Sequence, residues 1–232
     1  MIKRLIIVIT LAVLAVALYP LAWGVSDAEE LTPLARYYVE NGVEDLGAAN
    51  LVTSVVVSYR GLDTLGEVTV LFSATAGVTM LLAGRRTGKR RNDRRSRRGG
   101  SELLVTGAGF LFPIIWMFGI YIFIHGHLTP GGGFQGGVVL ASAVLLLIFA
   151  DSDRRLGHTV LMLSEALSGA AYAAVGLLGL WLAAGFLDPR FLSAGEFGQI
   201  LSAGAIPVIY SLIGIKVGAE LTGIVDAMRR TA

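Results

Sequence analysis

His125-Gly126-His127-Leu128-Thr129-Pro130-Gly131-Gly132-Gly133-Phe134-Gln135-Gly136-Gly137 joins two apolar runs, Pro113–Ile124 before it and Val138–Ala150 after it. A proline followed by three glycines does not continue a helix, since proline lacks the backbone donor and glycine is costly in a helix interior. Each flanking run is long and apolar enough to belong to a membrane span, so the break falls near a bilayer. Backbone freed there must be satisfied by protein or trapped water. The two histidines place titratable groups at the same point. The stretch therefore reads as a glycine-rich broken-helix loop between two transmembrane helices.

Working outward, the whole chain has the same character. Hydrophobic residues make up 54% of 232 and charged residues only 16%, with a mean hydropathy of +0.70. Several uncharged runs approach the ~20 residues that cross a hydrocarbon core of about 30 Å. The predicted class is an all-α polytopic membrane protein of about six transmembrane helices, two or three in residues 1–84 and four in residues 102–232. The 30 glycines show no period and fit close helix contacts. Without cysteine, disulfides, thiolate metal sites and cysteine nucleophiles are excluded.

After the break the expected spans are Phe134–Ala150, Val160–Gly185 and Ile200–Ile224, and before it Leu103–Ile124. Residues 85–101 form a basic linker with nine Arg and Lys residues and Asp93 as its acid. This linker, the Asp153-Arg154-Arg155 turn and the Arg229-Arg230 tail fall on one side if the four spans alternate, and the positive-inside rule makes that side cytoplasmic. The linker reads as a topology anchor in contact with anionic lipids. It lacks the aromatics or folded basic face that nucleic-acid binding requires. The chain is expected in the cell membrane, as a multi-pass protein with linker and C-terminus cytoplasmic.

The first module is less regular. Leu5–Trp23 reads as a retained span, being longer than a usual signal-peptide core. The acid-rich stretch 26–45 follows, then Leu46–Tyr59, too short to span. Arg60–Glu67 is polar and Val68–Ala83 apolar. Two crossings with Leu46–Tyr59 as a short lateral helix, or three crossings, both fit this pattern.

Charges inside spans are costly, so the few present are functional candidates. Glu67 opens a span with Asp63 one turn earlier, and Glu165 lies a few residues into the third span of the second module. Lys216 and Glu220 share a helix face four residues apart. They either neutralise one another near the helix end or contribute to an ion path. His125 and His127 are candidate proton acceptors or simple loop histidines. His-x-His without a third ligand gives no metal site. No phosphate loop, nucleophile with a base, or dinucleotide fingerprint is present, so no cofactor and no independent catalysis are expected.

The loop from His125 to Gly137, with Pro130, Gly131, Gly132, Gly133, Gly136 and Gly137 as its signature, resembles the MnhB/MrpB subunit of multisubunit Mrp-type sodium/proton antiporters. That resemblance runs over about 103–228, including Gly214-Ile215-Lys216-Val217-Gly218-Ala219. Asn50-Leu51-Val52-Thr53 and Tyr59-Arg60-Gly61-Leu62-Asp63-Thr64-Leu65-Gly66-Glu67-Val68-Thr69-Val70-Leu71-Phe72 resemble the C-terminal part of the large MrpA subunit. In membrane-bound hydrogenases of related architecture this part is a separate small protein, MbhE. The chain thus resembles a fusion of two neighbouring subunits, 1–84 and 102–232. The resemblance implies a non-catalytic subunit that helps form a sodium or proton path, with other antiporter subunits, sodium ions and protons as partners. The alternative it leaves open is a structural subunit in the membrane arm of an energy-converting hydrogenase or sulfur-reducing complex.

Overall fold

A computed structural model describes residues 2–24, 31–84, 100–151 and 156–231. Eight α-helices are present among them, with no strand. In chain order they are α1 (Ile2–Gly24), α2 (Pro33–Leu46), α3 (Leu51–Thr53), α4 (Gly61–Gly84), α5 (Glu102–Ile124), α6 (Gly133–Ala150), α7 (His158–Leu182) and α8 (Ile206–Thr231). A π-helix, Ser54–Tyr59, joins α3 to α4, and a 3-10 turn, Pro189–Phe191, lies between α7 and α8. Five of these, α4 to α8, are long and apolar enough to cross a membrane; in α1 the apolar run Arg4–Pro20 is shorter. The all-helical, roughly six-span reading therefore stands. The basic linker and the Asp153-Arg154-Arg155 turn lie outside the described residues.

Two compact units divide the chain, Met1–Glu40 and Asn41–Ala232. In the second, α8 is the hub: α4, α5, α6 and α7 all pack against it. The reason is in its sequence. Ile206, Ile209, Tyr210, Ile213, Val217 and Glu220 recur at intervals of three and four, and all are buried. Helix α6 is the other enclosed element, because Gly133, Gly136, Gly137, Leu140, Ala141 and Ala143 give it a small-residue face. Its glycines fix the close approach. A Cβ on Gly137 would stand 2.8 Å from both the Gly214 carbonyl oxygen and the Val217 side chain. One on Gly136 would stand 2.7 Å from the Gly119 carbonyl oxygen of α5. Packing without a methyl's separation lets dispersion and backbone contacts act where no hydrophobic effect drives association.

The broken-helix loop is anchored by its own backbone oxygens. Asn50 Nδ2 donates to the Gly126 and Thr129 carbonyls at 2.8 and 3.0 Å. The Thr53 hydroxyl donates to Gly126 O at 2.7 Å and accepts from Tyr210 OH at 2.9 Å. The same Asn50 caps α3 by accepting from Val52 N. Carbonyls freed by the break are thus satisfied by Asn50 and Thr53, with Tyr210 of α8 holding the Thr53 hydroxyl, as a low-dielectric setting requires.

Three boundaries differ from the sequence reading. The helix after the polar stretch starts earlier than the apolar run at Val68: all of Arg60–Glu67 but Arg60 belong to the first two turns of α4, where Asp63 pairs with Arg60 and Thr64 donates to Val56 O at 2.6 Å. The short helix expected over Leu46–Tyr59 begins at Leu51 and is π-helical from Ser54, with Arg60 N donating five residues back to Val55 O; residues 46–59 hold no helix of spanning length. The last helix starts at Ile206 rather than Ile200, because residues 195–205 form a folded loop with Ala203 at φ 62°. It also continues past Ile224, so Arg229 is no free tail residue: it pairs with Asp226 at 2.6 Å inside α8.

Candidate functional site

Helices α4 and α7 flank α8 and leave a groove between them. At one level lies a cleft of about 470 Å³ lined by Leu65, Thr69, Phe72, Glu165, Tyr172 and Lys216 among others. A second, of about 440 Å³, shares Phe72, Met162 and Glu165 with the first and extends to Thr75, Thr79, His158 and Asp226. Glu165 stands where the two meet. The lining order shows α4 and α7 running in opposite directions: Leu65 and Tyr172 mark one end, Thr79 and His158 the other.

Lys216 and Glu220 form the groove's charged centre. Lys216 Nζ donates to Glu220 Oε1 at 2.6 Å and lies 5.2 Å from the centre of the Phe72 ring. Such a ring face favours a cation. Both side chains are buried, Glu220 completely. Eleven residues into a 26-residue helix, Lys216 sits mid-helix rather than near its end. Residues 216 and 220 are placed there because α8 presents its 216–219–223–226 stripe to the groove while Gly169 on α7 leaves space: a Cβ there would already touch the Lys216 side chain at 3.5 Å. The second oxygen, Glu220 Oε2, is buried with no hydrogen-bond partner in the protein. Glu165 lines the same cleft as Lys216, and it forms no ion pair among the described residues.

The other expected groups fall elsewhere. Glu67 lies on an exposed part of α4 and lines neither cleft. Asp63 is exposed and paired with Arg60, away from the groove lining. His125 caps α5, stacks on Tyr121 with ring centres 4.2 Å apart, and is partly exposed. His127 is fully buried in the loop, its Nε2 3.1 Å from the Gln199 carbonyl oxygen. Burial pushes its imidazole below the ordinary 6.5, against the opposing effect of its hydrogen bond to Gln199. The structure therefore brings Glu165 to the cleft lined by Lys216, itself paired with Glu220, and leaves Glu67, Asp63, His125 and His127 outside the cleft lining. Pro130 is exposed, and the loop glycines Gly131, Gly132, Gly133, Gly136 and Gly137 serve turns and helix contact.

Three features escaped the sequence reading. Tyr172, buried with its hydroxyl unpartnered, sits two turns from Glu165 on the same face of α7; the i, i+7 spacing was the available signal. Asp226 extends the α8 stripe by the same periodicity. On the loop between α7 and α8, Asp188 accepts from Arg190 Nη2 at 2.6 Å and caps the 3-10 turn. The Arg190 guanidinium holds its carboxyl below the usual 3.8 despite burial.

Comparison with known proteins agrees with this architecture. Residues 103–223 match a domain related to the MnhB subunit of Na+/H+ antiporters, and residues 3–95 match the MbhE component of MBH. A chain of the membrane-bound sulfane sulfur reductase, an archaeal respiratory membrane complex, superposes with a TM-score of 0.80 at 45% identity, covering 98% of both chains. A chain of the Mrp complex from Dietzia sp. DQ12-45-1b superposes at 0.76 with 25% identity, over 97% of this chain and 26% of that one. A probable K+/H+ antiporter component of Rhizobium meliloti is 27% identical over 205 residues, 78% of this chain and 20% of its own length. By the extent of the first match, this multi-pass membrane chain belongs to the family of domains related to the MnhB subunit of Na+/H+ antiporters, here following an MbhE-like segment.

Proposed function

We propose that the chain is a non-catalytic subunit of a multisubunit Mrp-type monovalent cation/proton antiporter module, and that its α4–α7–α8 groove forms part of the ion or proton path. Two modules, 1–84 and 102–232, joined by the basic linker 85–101, correspond to two neighbouring subunits of such an assembly, with linker and C-terminus on the cytoplasmic side. The observation that carries the reading is the buried Lys216–Glu220 pair, whose second carboxylate oxygen is unpartnered beside Glu165. Charges in a span cost several kcal/mol unless paired, and a structural pair has no use for a second carboxylate at its side. An arrangement of two acids and one ammonium has more than one protonation pattern of similar energy. That is what transfer of a proton or exchange for a cation requires.

Glu67, an exposed acid on the helix whose other face lines the groove, is assigned to the path as an ion or proton relay. Replacing it by Gln in the assembled complex is expected to abolish cation-dependent pH changes in vesicles while leaving subunit composition intact. Normal transport by an assembled Glu67→Gln complex contradicts that assignment. The second reading, a subunit of the membrane arm of a sulfur-reducing or hydrogenase complex, is favoured by the 98% mutual coverage with the sulfane sulfur reductase chain. The two readings share the groove and differ in the parent assembly; iron and nickel content of the complex purified through a tag on this chain separates them.

A further inference from the structure

The Lys216 ammonium is a cation already held inside the protein, and its surroundings have the composition of a binding site for one. The side chains of Lys216 and Glu220 are 9% and 0% exposed. Nζ donates to Glu220 Oε1 at 2.6 Å and stands over the Phe72 ring of α4, 5.2 Å from its centre. On the α7 side Gly169 provides the room, since a Cβ there would lie 3.5 Å from each of Lys216 Cδ, Cε and Nζ. A carboxylate, an aromatic face and a helix backbone, from three different helices, thus enclose one positive charge. Two features exceed what a closed ion pair needs. Glu220 Oε2 is buried with no hydrogen-bond partner among the described residues, so the ammonium satisfies one oxygen of a group that accepts on both. Lys216 also lines the cleft of about 470 Å³, so the enclosed charge borders open space through which a small ion can reach it.

We infer that Glu220 and Phe72 form a monovalent-cation site, which the Lys216 ammonium fills as a tethered occupant. The ligand class follows from the groups present. One carboxylate balances one positive charge, and the ring face attracts a cation most strongly where water is excluded, as it is here. An ammonium or alkali cation arriving through the cleft takes the place of the Lys216 ammonium at Glu220, and the unpartnered Oε2 gives it a second oxygen to bind. The role of this exchange in transport rests on the reading of the groove as an ion path; the binding itself is measured without transport.

The experiment removes the tether and supplies the cation free. Lys216→Ala deletes Cγ, Cδ, Cε and Nζ, the atoms that n-propylammonium replaces. The melting temperature of the intact complex is measured against n-propylammonium, with tetraethylammonium, which has no N–H to donate to Glu220, as the control at equal ionic strength. Lys216→Ala is expected to melt below wild type and to rise saturably with n-propylammonium, as a ligand bound only by the folded state requires. Wild type and Lys216→Met, whose side chains fill the space, are expected not to respond. Adding Phe72→Leu to Lys216→Ala is expected to raise the half-saturating concentration by roughly fivefold, the size of one ring–cation contact, and Phe72→Tyr to leave it near its value with Phe72. Equal responses of Lys216→Ala to the two cations, or equal responses of Lys216→Ala and wild type to n-propylammonium, overturn the site; an unchanged concentration with Phe72→Leu overturns the part given to the ring. If Lys216→Ala yields no intact complex, n-propylammonium supplied during expression and solubilisation is expected to restore its yield where tetraethylammonium does not, and no restoration overturns the site. Conduction is decided separately, by cation-dependent pH change in vesicles carrying the Lys216→Met/Glu220→Gln complex: wild-type transport there overturns the path and leaves a site filled by n-propylammonium standing.

Discussion

Lys216 and Glu220 show how one i, i+4 spacing has two physical meanings. Near a helix end the ammonium reaches the interface and the pair adds little. In mid-helix, buried on α8, each charge depends on the other. Removing one partner leaves an uncompensated buried charge, so Lys216→Met or Glu220→Gln alone is expected to destabilise the assembled protein, Lys216→Met by the larger amount because it strands a full carboxylate, on the order of 3–5 kcal/mol. The double variant is expected to recover most of that, because replacing a buried pair with neutral groups of similar size is often nearly neutral. Thermal denaturation of the assembled complex checks the order: both singles below wild type, the double above either. The pairing was legible from spacing, but its depth was not. Depth depended on where α8 begins, and a positive φ at Ala203 within a folded loop moved that start to Ile206. Tyr172 was hidden for a related reason: a tyrosine in an apolar span reads as packing until the groove beside it is seen.

At the level of elements, the glycine-rich stretch between α5 and α6 was read correctly as a break and a contact surface. Its backbone anchors were not, because Asn50, Thr53 and Tyr210 come from distant parts of the chain. The polar Arg60–Glu67 stretch concealed the start of α4 because its polarity resembles a connector. An ion pair from Arg60 to Asp63 and a threonine bond back to Val56 O make it compatible with a helix start. The packing of α6 on α8 gives a direct prediction. Gly137 has carbonyl and side-chain atoms where a Cβ would stand, whereas Gly77 on α4 has open space. Gly137→Leu is expected to force the helices apart at a cost of about 1–3 kcal/mol or more, as overpacking does. Gly77→Ala is expected to be tolerated, since alanine favours a helix over glycine. Yield of intact complex from membranes carrying each variant checks the contrast; equal yields contradict the packing account.

For the whole molecule, family and broad architecture were carried by local motifs, and the groove by their assembly. Helix α4 lies in the region matched at 3–95 and α7 in that matched at 103–223, and they meet on α8, so no single stretch of sequence announces the site. The same packing leaves large apolar residues of α4, α5 and α7 exposed, among them Val70, Phe110, Met117, Leu167 and Trp181. These faces suit lipid and neighbouring subunits, consistent with relatives that belong to multisubunit antiporter and respiratory complexes. The central claim is that the groove conducts rather than merely packs. Cation-dependent pH change in vesicles carrying the assembled Lys216→Met/Glu220→Gln complex tests it most directly. The expected result is a complex that assembles with wild-type subunit composition and shows no cation-dependent pH change; wild-type transport by that complex would contradict the claim.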